Sequence, residues 1–136
     1  MSANTARQPT IERDQAGAIV CVRYTADEML HREDGPAVIE FFPEGGRRSE
    51  TWYLGGVIKR SGHRPSRMEY RLDGTASRAF WHQRNGLLHR KDGPALVTFA
   101  EDGQTPIERE WYRAGRPWCH ECRSAVDRGC RCGGIA

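Results

Sequence analysis

A heptapeptide that occurs twice constrains what this chain can fold into. Residues 31–37 read His-Arg-Glu-Asp-Gly-Pro-Ala and residues 89–95 read His-Arg-Lys-Asp-Gly-Pro-Ala, so six of the seven positions are identical. The copies lie 58 residues apart, which is twice 29. Prolines at 36, 65 and 94 and glycines at 45, 74 and 103 keep the 29-residue step. The spacing predicts three repeat units, at 31–59, 60–88 and 89–117.

Each unit predicts a β-hairpin. In the first unit, residues 37–42 and 49–54 are rich in β-branched and aromatic residues, and the turn-forming segment 43–46 separates them. Comparable runs occupy 17–24, 67–72, 77–82, 95–100 and 107–112. Asp73-Gly74 predicts a type I′ turn with positive φ at both central residues. The predicted fold is all-β: an antiparallel β-meander of about seven strands, in which stacked units share an apolar face.

The repeats divide the chain into three parts. Residues 1–16 are polar and predict a disordered or loosely attached arm. Residues 17–118 form the predicted β-repeat domain, and residues 119–136 form a Cys-rich C-terminal knob. No apolar run approaches the roughly 18 residues of a membrane helix, and the N-terminus lacks the apolar middle of a signal peptide. We therefore expect a cytoplasmic protein that is not embedded in a membrane.

Aromatic pairs recur at the repeat spacing. In a strand, neighbouring residues face opposite sides of the sheet, so each pair puts one aromatic ring on each face. Core packing explains such ladders, but a single sheet must cover one of its faces with the arm, a second copy of the chain or a partner. The residues expected to bind a protein partner are Trp52, Tyr53, Trp81, Trp111 and Tyr112.

The Trp-Tyr-x-x-Gly and Asp-Gly signatures within tandem hairpin units resemble those of MORN-type repeats. The heptapeptides are similar to the related bacterial and phage repeats of the His-Arg-x-Asp-Gly-Pro-Ala type. The resemblance covers about residues 31–117, although the 29-residue unit is longer than a MORN unit. It implies an elongated, non-catalytic β-meander that serves as an interaction surface, as an adaptor, an inhibitor or a structural component of a bacterial or phage assembly.

The heptapeptides themselves have two interpretations. As chemistry, His31 with Asp34 and His89 with Asp92 could be acid–base pairs or phosphate sites. As structure, Asp bonds to the backbone of its own turn, Gly supplies an unusual φ, Pro starts the next strand, and His and Arg brace the turn. We favour structure, because the middle unit keeps little of the heptapeptide and an enzyme rarely carries its site twice. The predicted repeat-turn residues are His31, Asp34, Gly35, Pro36, His89, Asp92, Gly93 and Pro94.

Four cysteines cluster near the C-terminus in the pattern C-x2-C-x7-C-x-C. Four thiolates at such spacing can hold a structural zinc ion in a knuckle-like knob, and no coordination position is left for catalytic water. Disulfides, a redox pair and free thiols are the alternatives, and a cytosolic setting favours metal over disulfides. The predicted zinc ligands are Cys119, Cys122, Cys130 and Cys132.

Arginines surround these cysteines. The net charge is +3, and the segment 113–136 carries that excess. These arginines suggest a second function, nucleic-acid binding through the zinc knob. A soluble basic tail is the simpler explanation. The arginines concerned are Arg113, Arg116, Arg123, Arg128 and Arg131. The primary prediction is a non-enzymatic protein–protein interaction module that could also self-associate.

Overall fold

The computed structural model describes residues 9–119, 121 and 123–125. Every regular element in this part of the chain is a β-strand, as the sequence predicts. The strands are β1 (Thr10–Arg13), β2 (Ile19–Arg23), β3 (Thr25–Ala26), β4 (Met29–Leu30), β5 (Val38–Phe41), β6 (Arg47–Thr51), β7 (Tyr53–Leu54), β8 (Val57–Ile58), β9 (Arg67–Tyr70), β10 (Ala76–Phe80), β11 (Leu96–Phe99), β12 (Pro106–Glu110), β13 (Tyr112–Arg113), β14 (Arg116–Cys119) and β15 (Ser124–Ala125). The described residues contain no helix that could span a membrane.

Eight strands form one large antiparallel sheet in the order β1-β2-β5-β6-β9-β10-β11-β12. Each strand of this sheet pairs with the strands that precede and follow it along the chain, once the short hairpins are set aside. The predicted antiparallel meander is therefore confirmed. At about 4.8 Å between neighbouring strands, the eight strands extend over about 34 Å.

The first strand lies in a segment for which the sequence predicts a disordered or loosely attached arm, residues 1–16. Within the described residues, Thr10–Arg13 instead forms β1 and pairs with β2, with Ile11 opposite Val22. All four residues of β1 are exposed, as expected for an edge strand. The strand contains one apolar residue, Ile11, and pairs through its backbone with β2, which is rich in β-branched residues.

Three of the four long hairpins, β1–β2, β5–β6 and β9–β10, share one type of turn. In the β9–β10 turn, the Gly74 N–H donates to the Arg71 carbonyl at 2.9 Å, and the Arg71 N–H donates to the Thr75 carbonyl at 2.8 Å. Gly74 has a φ of +90°, whereas Asp73 is not in the positive-φ region. The turn is therefore a three-residue connection with glycine in the left-handed region, and the type I′ turn predicted at Asp73-Gly74 is wrong. Turns at Gly17 and Gly45 make the corresponding bonds. The turn at Gly103 is one residue longer, because the Ala100 N–H donates to the Thr105 carbonyl.

Short hairpins alternate with the long ones. The chain leaves the large sheet at Trp52 and at Trp111, where the sequence predicts that the strand continues, and forms β7–β8 and β13–β14. Gly55 and Gly56 both have positive φ, with values of 58° and 82°, so the type I′ geometry occurs here instead. Each short hairpin pairs two residues with two others. These residues therefore pair with each other instead of extending the strands of the large sheet.

The large sheet has two unlike faces. On one, which we call the apolar face, the register aligns Ile39, Glu50, Met68, Ala79 and Val97 across five strands. Ile39, Ala79 and Val97 are buried. Glu50 accepts hydrogen bonds from the Tyr70 hydroxyl at 2.5 Å and from Arg47. Burial, followed by the bond to Glu50, raises the pKa of Tyr70, which keeps the phenol protonated as a donor.

The opposite face, which we call the ladder face, carries charged residues at the next positions of the same strands. The register aligns Cys21, Glu40, Ser49, Glu69 and Arg78 from β2 to β10. Cys21 and Ser49 are buried at the level of the backbone, while longer charged side chains extend toward solvent. Alternation along each strand thus separates an apolar face from a charged one.

Candidate functional site

The loops that precede β5, β9 and β11 are each built around an arginine that lies on an aromatic ring from an earlier part of the chain. Arg32 lies 4.1 Å from the ring centre of Tyr24, Arg60 lies 3.7 Å from Trp52, and Arg90 lies 4.0 Å from Trp81. Each arginine also donates through Nη1 to a proline carbonyl of its own loop, at 3.1–3.2 Å. Cation–π contacts of this kind contribute about 0.5–2 kcal/mol each.

The heptapeptide glycines make room for these arginines. A Cβ atom on Gly35 would lie 2.8 Å from Cζ of Arg32, and one on Gly93 would lie 3.0 Å from Cζ of Arg90. Neither glycine is among the residues with positive φ. The expectation that these glycines supply an unusual φ is therefore wrong; they allow the guanidinium to approach the backbone.

The heptapeptide histidines fasten the short hairpins. The Gly55 N–H donates to Nδ1 of His31 at 2.8 Å, and the Ala114 N–H donates to Nδ1 of His89 at 2.9 Å. Each imidazole therefore carries its proton on Nε2 when neutral. Burial, followed by the nearby Arg113 guanidinium, lowers the pKa of His89. These histidines thus act as hydrogen-bond acceptors for backbone groups.

The carboxylates of the heptapeptides are exposed at the tips of the loops. Asp34 accepts a hydrogen bond from Nε of Arg32 at 3.1 Å, instead of binding the backbone of its own turn. Nε2 of His31 lies 3.3 Å from Oε2 of Glu33, so the histidine contacts this carboxylate and not that of Asp34. The hypothetical His31–Asp34 pair is therefore not a contact in this loop.

The loop of the middle unit is one residue longer between its arginine and its proline. Arg60 reaches the Pro65 carbonyl five residues ahead, whereas Arg90 reaches the Pro94 carbonyl four residues ahead. A fixed 29-residue step aligns Arg60 with His31 and His89, but its contacts are those of Arg32 and Arg90. The loop before β9 therefore keeps the arginine contact, although its sequence does not match the heptapeptide.

Two adjoining clefts separate successive loops. The first, of about 360 Å³, lies over Trp52 between the loops that carry Arg32 and Arg60. The second, of about 400 Å³, lies over Trp81 between the loops that carry Arg60 and Arg90. Three cationic side chains, Lys59, Arg60 and Arg64, line both clefts. The first cleft is also lined by Arg32 and by the carboxylates Glu33 and Asp34.

The ladder face is held by a series of ion pairs. Arg23 lies 3.2 Å from Glu12, Arg48 lies 3.6 Å from Glu40, and Arg78 lies 2.8 Å from Glu69. Arg67 stands between two carboxylates, 3.0 Å from Glu69 and 3.9 Å from Glu40. The side chains of Arg48 and Arg78 remain 53% and 49% exposed.

Glu40 is held by a hydroxyl group as well as by arginines. The hydroxyl of the buried Ser49 donates to its Oε1 at 2.6 Å. This bond is the main cause of the lowered pKa of Glu40; burial opposes it, and Arg48, Arg67 and Arg23 add to it. The ladder face therefore presents fixed charges of both signs.

The aromatic residues predicted to bind a partner are half-buried. The rings of Trp52 and Trp81 are covered by Arg60 and Arg90, and Nε1 of Trp81 donates to the His63 carbonyl at 3.1 Å. The Tyr112 hydroxyl donates to Glu110 at 2.9 Å. Tyr53 and Tyr112 accept the backbone N–H groups of the loop arginines through their carbonyls. Trp111 follows β12 at the point where the short hairpin β13–β14 begins.

The predicted zinc site lies largely beyond the described residues. Cys119 ends β14 and is buried, opposite Ser124 of β15. Cys122, Cys130 and Cys132 are outside the described part of the chain, as are Arg128 and Arg131. Of the other arginines in the predicted nucleic-acid site, Arg113 lies over the Trp118 ring at 4.8 Å and donates to the Lys91 carbonyl at 3.3 Å.

Sequence reasoning missed two sets of residues. The ladder carboxylates Glu40 and Glu69 are 29 residues apart, so the repeat spacing could have identified them. The cations of the clefts come from loops of unequal length, and only the fold brings them together.

No protein-family model, curated protein or solved structure matches this chain.

Proposed function

We propose that this protein is a non-catalytic protein–protein interaction module whose ladder face binds a partner protein. The observation that carries this proposal is the row of ion pairs from β1 to β10, with Arg48 and Arg78 half exposed at its surface. The partner surface would carry charges of both signs in the complementary order. An adaptor, an inhibitor or a structural component of a bacterial or phage assembly would use such a face.

Energetics support a role in recognition. Half-exposed ion pairs contribute only about 0–1 kcal/mol each to stability, so folding gives little reason to concentrate them on one face. Fixed charges of both signs do provide specificity, because a mismatched partner would bring like charges together. Arginine is also enriched at protein interfaces and at their energetic centres.

The non-catalytic part of the proposal rests on how the heptapeptide side chains are used. His31 and His89 accept backbone hydrogen bonds through Nδ1, and Arg32 and Arg90 are held between an aromatic ring and a glycine. These contacts give the residues structural roles that are repeated at two loops. The repeat-like hairpins also support the proposed resemblance to MORN-like repeat proteins and the proposed division into three units of 29 residues. We place the protein in the cytoplasm.

We further propose that a structural zinc ion staples the C-terminal knob through the four clustered cysteines. The hairpin β14–β15 supports this, because it places Cys119 at the end of a strand, buried beside the return strand. Native mass spectrometry before and after chelation tests it. A mass excess of one zinc ion that the chelator removes is expected, and a metal-free protein with disulfides would contradict it.

Affinity capture from the source organism tests the ladder face. The wild-type protein and the Arg48→Glu/Arg78→Glu variant are compared as baits, and captured proteins are identified by mass spectrometry. We expect a protein captured by the wild type to be lost with this variant, because charge reversal places like charges against the partner.

The matched control is Arg84→Glu, which reverses an exposed arginine of the loop that follows β10. This control should capture the same protein as the wild type. A milder variant, Arg48→Gln/Arg78→Gln, avoids repulsion within the ladder, and thermal unfolding verifies that each bait is folded. Equal capture by the wild type and both ladder variants would overturn the proposal.

A further inference from the structure

Exposed cations concentrate along the loops between the repeat hairpins. The second cleft is lined by five cationic side chains and a single carboxylate, Asp92. The five are Lys59, Arg60, Arg64, Arg90 and Lys91, which we call the cationic strip. Lys59 and Lys91 are the only lysines of the whole chain, and both line this cleft.

The charges of the strip are poorly neutralised. Among the described residues, Lys59, Arg64 and Lys91 form no ion pair, and all three are exposed. Burial, followed by the nearby Arg64 guanidinium, lowers the pKa of Arg60. Clefts lined by one sign of charge concentrate the field and attract counter-ions. The strip is therefore suited to an anionic ligand.

The arrangement favours an extended ligand over a compact one. The first and second clefts adjoin and share Lys59, Arg60 and Arg64. Glu33 and Asp34 also line the first cleft, so the excess of positive charge is largest in the second. Successive loops are separated by two strands of the sheet, which corresponds to about 10 Å. Arg113 extends the series beyond the second cleft, because its Nη2 donates to the Lys91 carbonyl. A ligand that carries negative charge at intervals can contact several loops at once.

From this geometry we infer that the cationic strip binds the phosphate backbone of a nucleic-acid strand. Phosphate contacts by Lys and Arg give affinity without reading the bases. Arg60 and Arg90 cover the rings of Trp52 and Trp81, which form the floors of the clefts. The inferred binding therefore uses phosphate contacts and not stacking of bases on these rings. This site lies outside the ladder face and is independent of the protein-binding proposal.

Fluorescence anisotropy with a labelled single-stranded DNA of about 16 nucleotides and mixed sequence tests the inference. The wild type is compared with Lys59→Gln/Arg64→Gln/Lys91→Gln over a series of salt concentrations. For a single strand, log affinity falls with log salt by about 0.7 for each neutralised phosphate. We expect the triple variant to bind more weakly and its slope to be smaller by about 2, since three contacts are lost.

Removal of two positive charges from the ladder face provides the control. Arg48→Gln/Arg78→Gln should bind the DNA like the wild type, so this variant separates the two surfaces. The three substituted residues of the strip are exposed, and single variants at Arg64 and Lys91 should show smaller changes in the same direction if the triple variant folds poorly. Unchanged affinity and slope in the triple variant would overturn the inference.

Competition identifies the class of anion. Unlabelled DNA should displace the probe, whereas polyglutamate at the same concentration of charge and inorganic phosphate should displace little of it. Equal displacement by polyglutamate would assign the strip to acidic polypeptides and overturn the nucleic-acid inference. Complete displacement by millimolar inorganic phosphate would show a compact phosphate site and would also overturn it.

Discussion

At the scale of single residues, one side chain connects neighbouring parts of the fold. Arg90 lies on the ring of Trp81, donates to the Pro94 carbonyl and packs against Gly93. The glycine is required because the guanidinium occupies the space of a Cβ atom. Burial lowers the pKa of Arg90, but its usual value is so high that the side chain stays charged.

Substitution of Gly93 by alanine tests this contact. The new Cβ atom would lie 3.0 Å from Cζ of Arg90, so the guanidinium would have to shift by a few tenths of an ångström on Trp81. We expect the free energy of unfolding to fall by about 1 kcal/mol, the lower end of the usual cost of overpacking. Urea denaturation measures it.

Gly46→Ala is the matched control for that substitution. Gly46 is also not in the positive-φ region, and a Cβ atom there would lie 3.8 Å from its nearest neighbour, the Leu72 carbonyl oxygen. We expect a change within about 0.5 kcal/mol of zero. Equal losses at Gly93 and Gly46 would mean that crowding by the arginine is not what requires glycine.

At the scale of elements, a long hairpin, a short hairpin and a loop recur along the chain. The loop histidine fastens the short hairpin, and this contact depends on the protonation state of the histidine. Protonation of Nδ1 on His89 would remove the acceptor of the Ala114 N–H. His82 is similar: its Nδ1 lies 2.8 Å from the Ser66 hydroxyl, and burial, followed by Arg67, lowers its pKa.

The pH dependence of stability follows from these histidines. The folded protein lowers the pKa of His82 and His89 below the ordinary value of 6.5. Below about pH 6.5 the unfolded chain therefore binds more protons than the folded chain, and the free energy of unfolding falls as the pH decreases. Urea denaturation at pH 7.5 and at pH 5.5 measures this fall.

His89→Asn should reduce that fall, because the asparagine carbonyl can accept from Ala114 but does not titrate in this range. His63→Asn is the control, since the His63 side chain is exposed and asparagine tolerates its positive φ of 59°. An identical pH dependence in the wild type and His89→Asn would show that His89 makes no contribution.

The elements show how far the sequence could be interpreted. Alternating apolar residues and Asp-Gly turns predicted the hairpins of the large sheet, because strand pairing is encoded locally by the side-chain period. The sequence did not predict that the chain leaves the large sheet at Trp52 and Trp111, because β-strand propensity is high on both sides of these residues. The arginine contact of the middle loop was hidden by one inserted residue, since a fixed spacing aligns Arg60 with the histidines.

At the scale of the whole molecule, the large sheet is open and its pairings are sequential. Outer strands have one neighbour, and inner strands such as β6 and β9 have two. Folds of this kind can open from the ends while the centre stays paired. The candidate sites could not be predicted from the sequence at this scale, because the cationic strip and the ladder face arise only when loops and strands of different units are placed side by side.

Hydrogen exchange measures this expected gradient. We expect amide groups in β6, β9 and β10 to be the most protected, and those in β1 to exchange about tenfold or more faster, which corresponds to about 1.4 kcal/mol. The comparison is made between hydrogen-bonded amides only. Equal protection from β1 to β10 would instead indicate that the sheet unfolds as one cooperative unit.

Sequential pairing also bears on how such a chain can change during evolution. Because none of the strands between residues 9 and 125 that the structure describes crosses over another, an in-frame duplication of a long hairpin, a short hairpin and a loop would lengthen the sheet without rethreading these strands. Each duplication would add two strands, about 10 Å of length and one more cleft between loops. Descendants of one gene could thus differ in reach and in the number of ligand contacts while keeping the same local contacts.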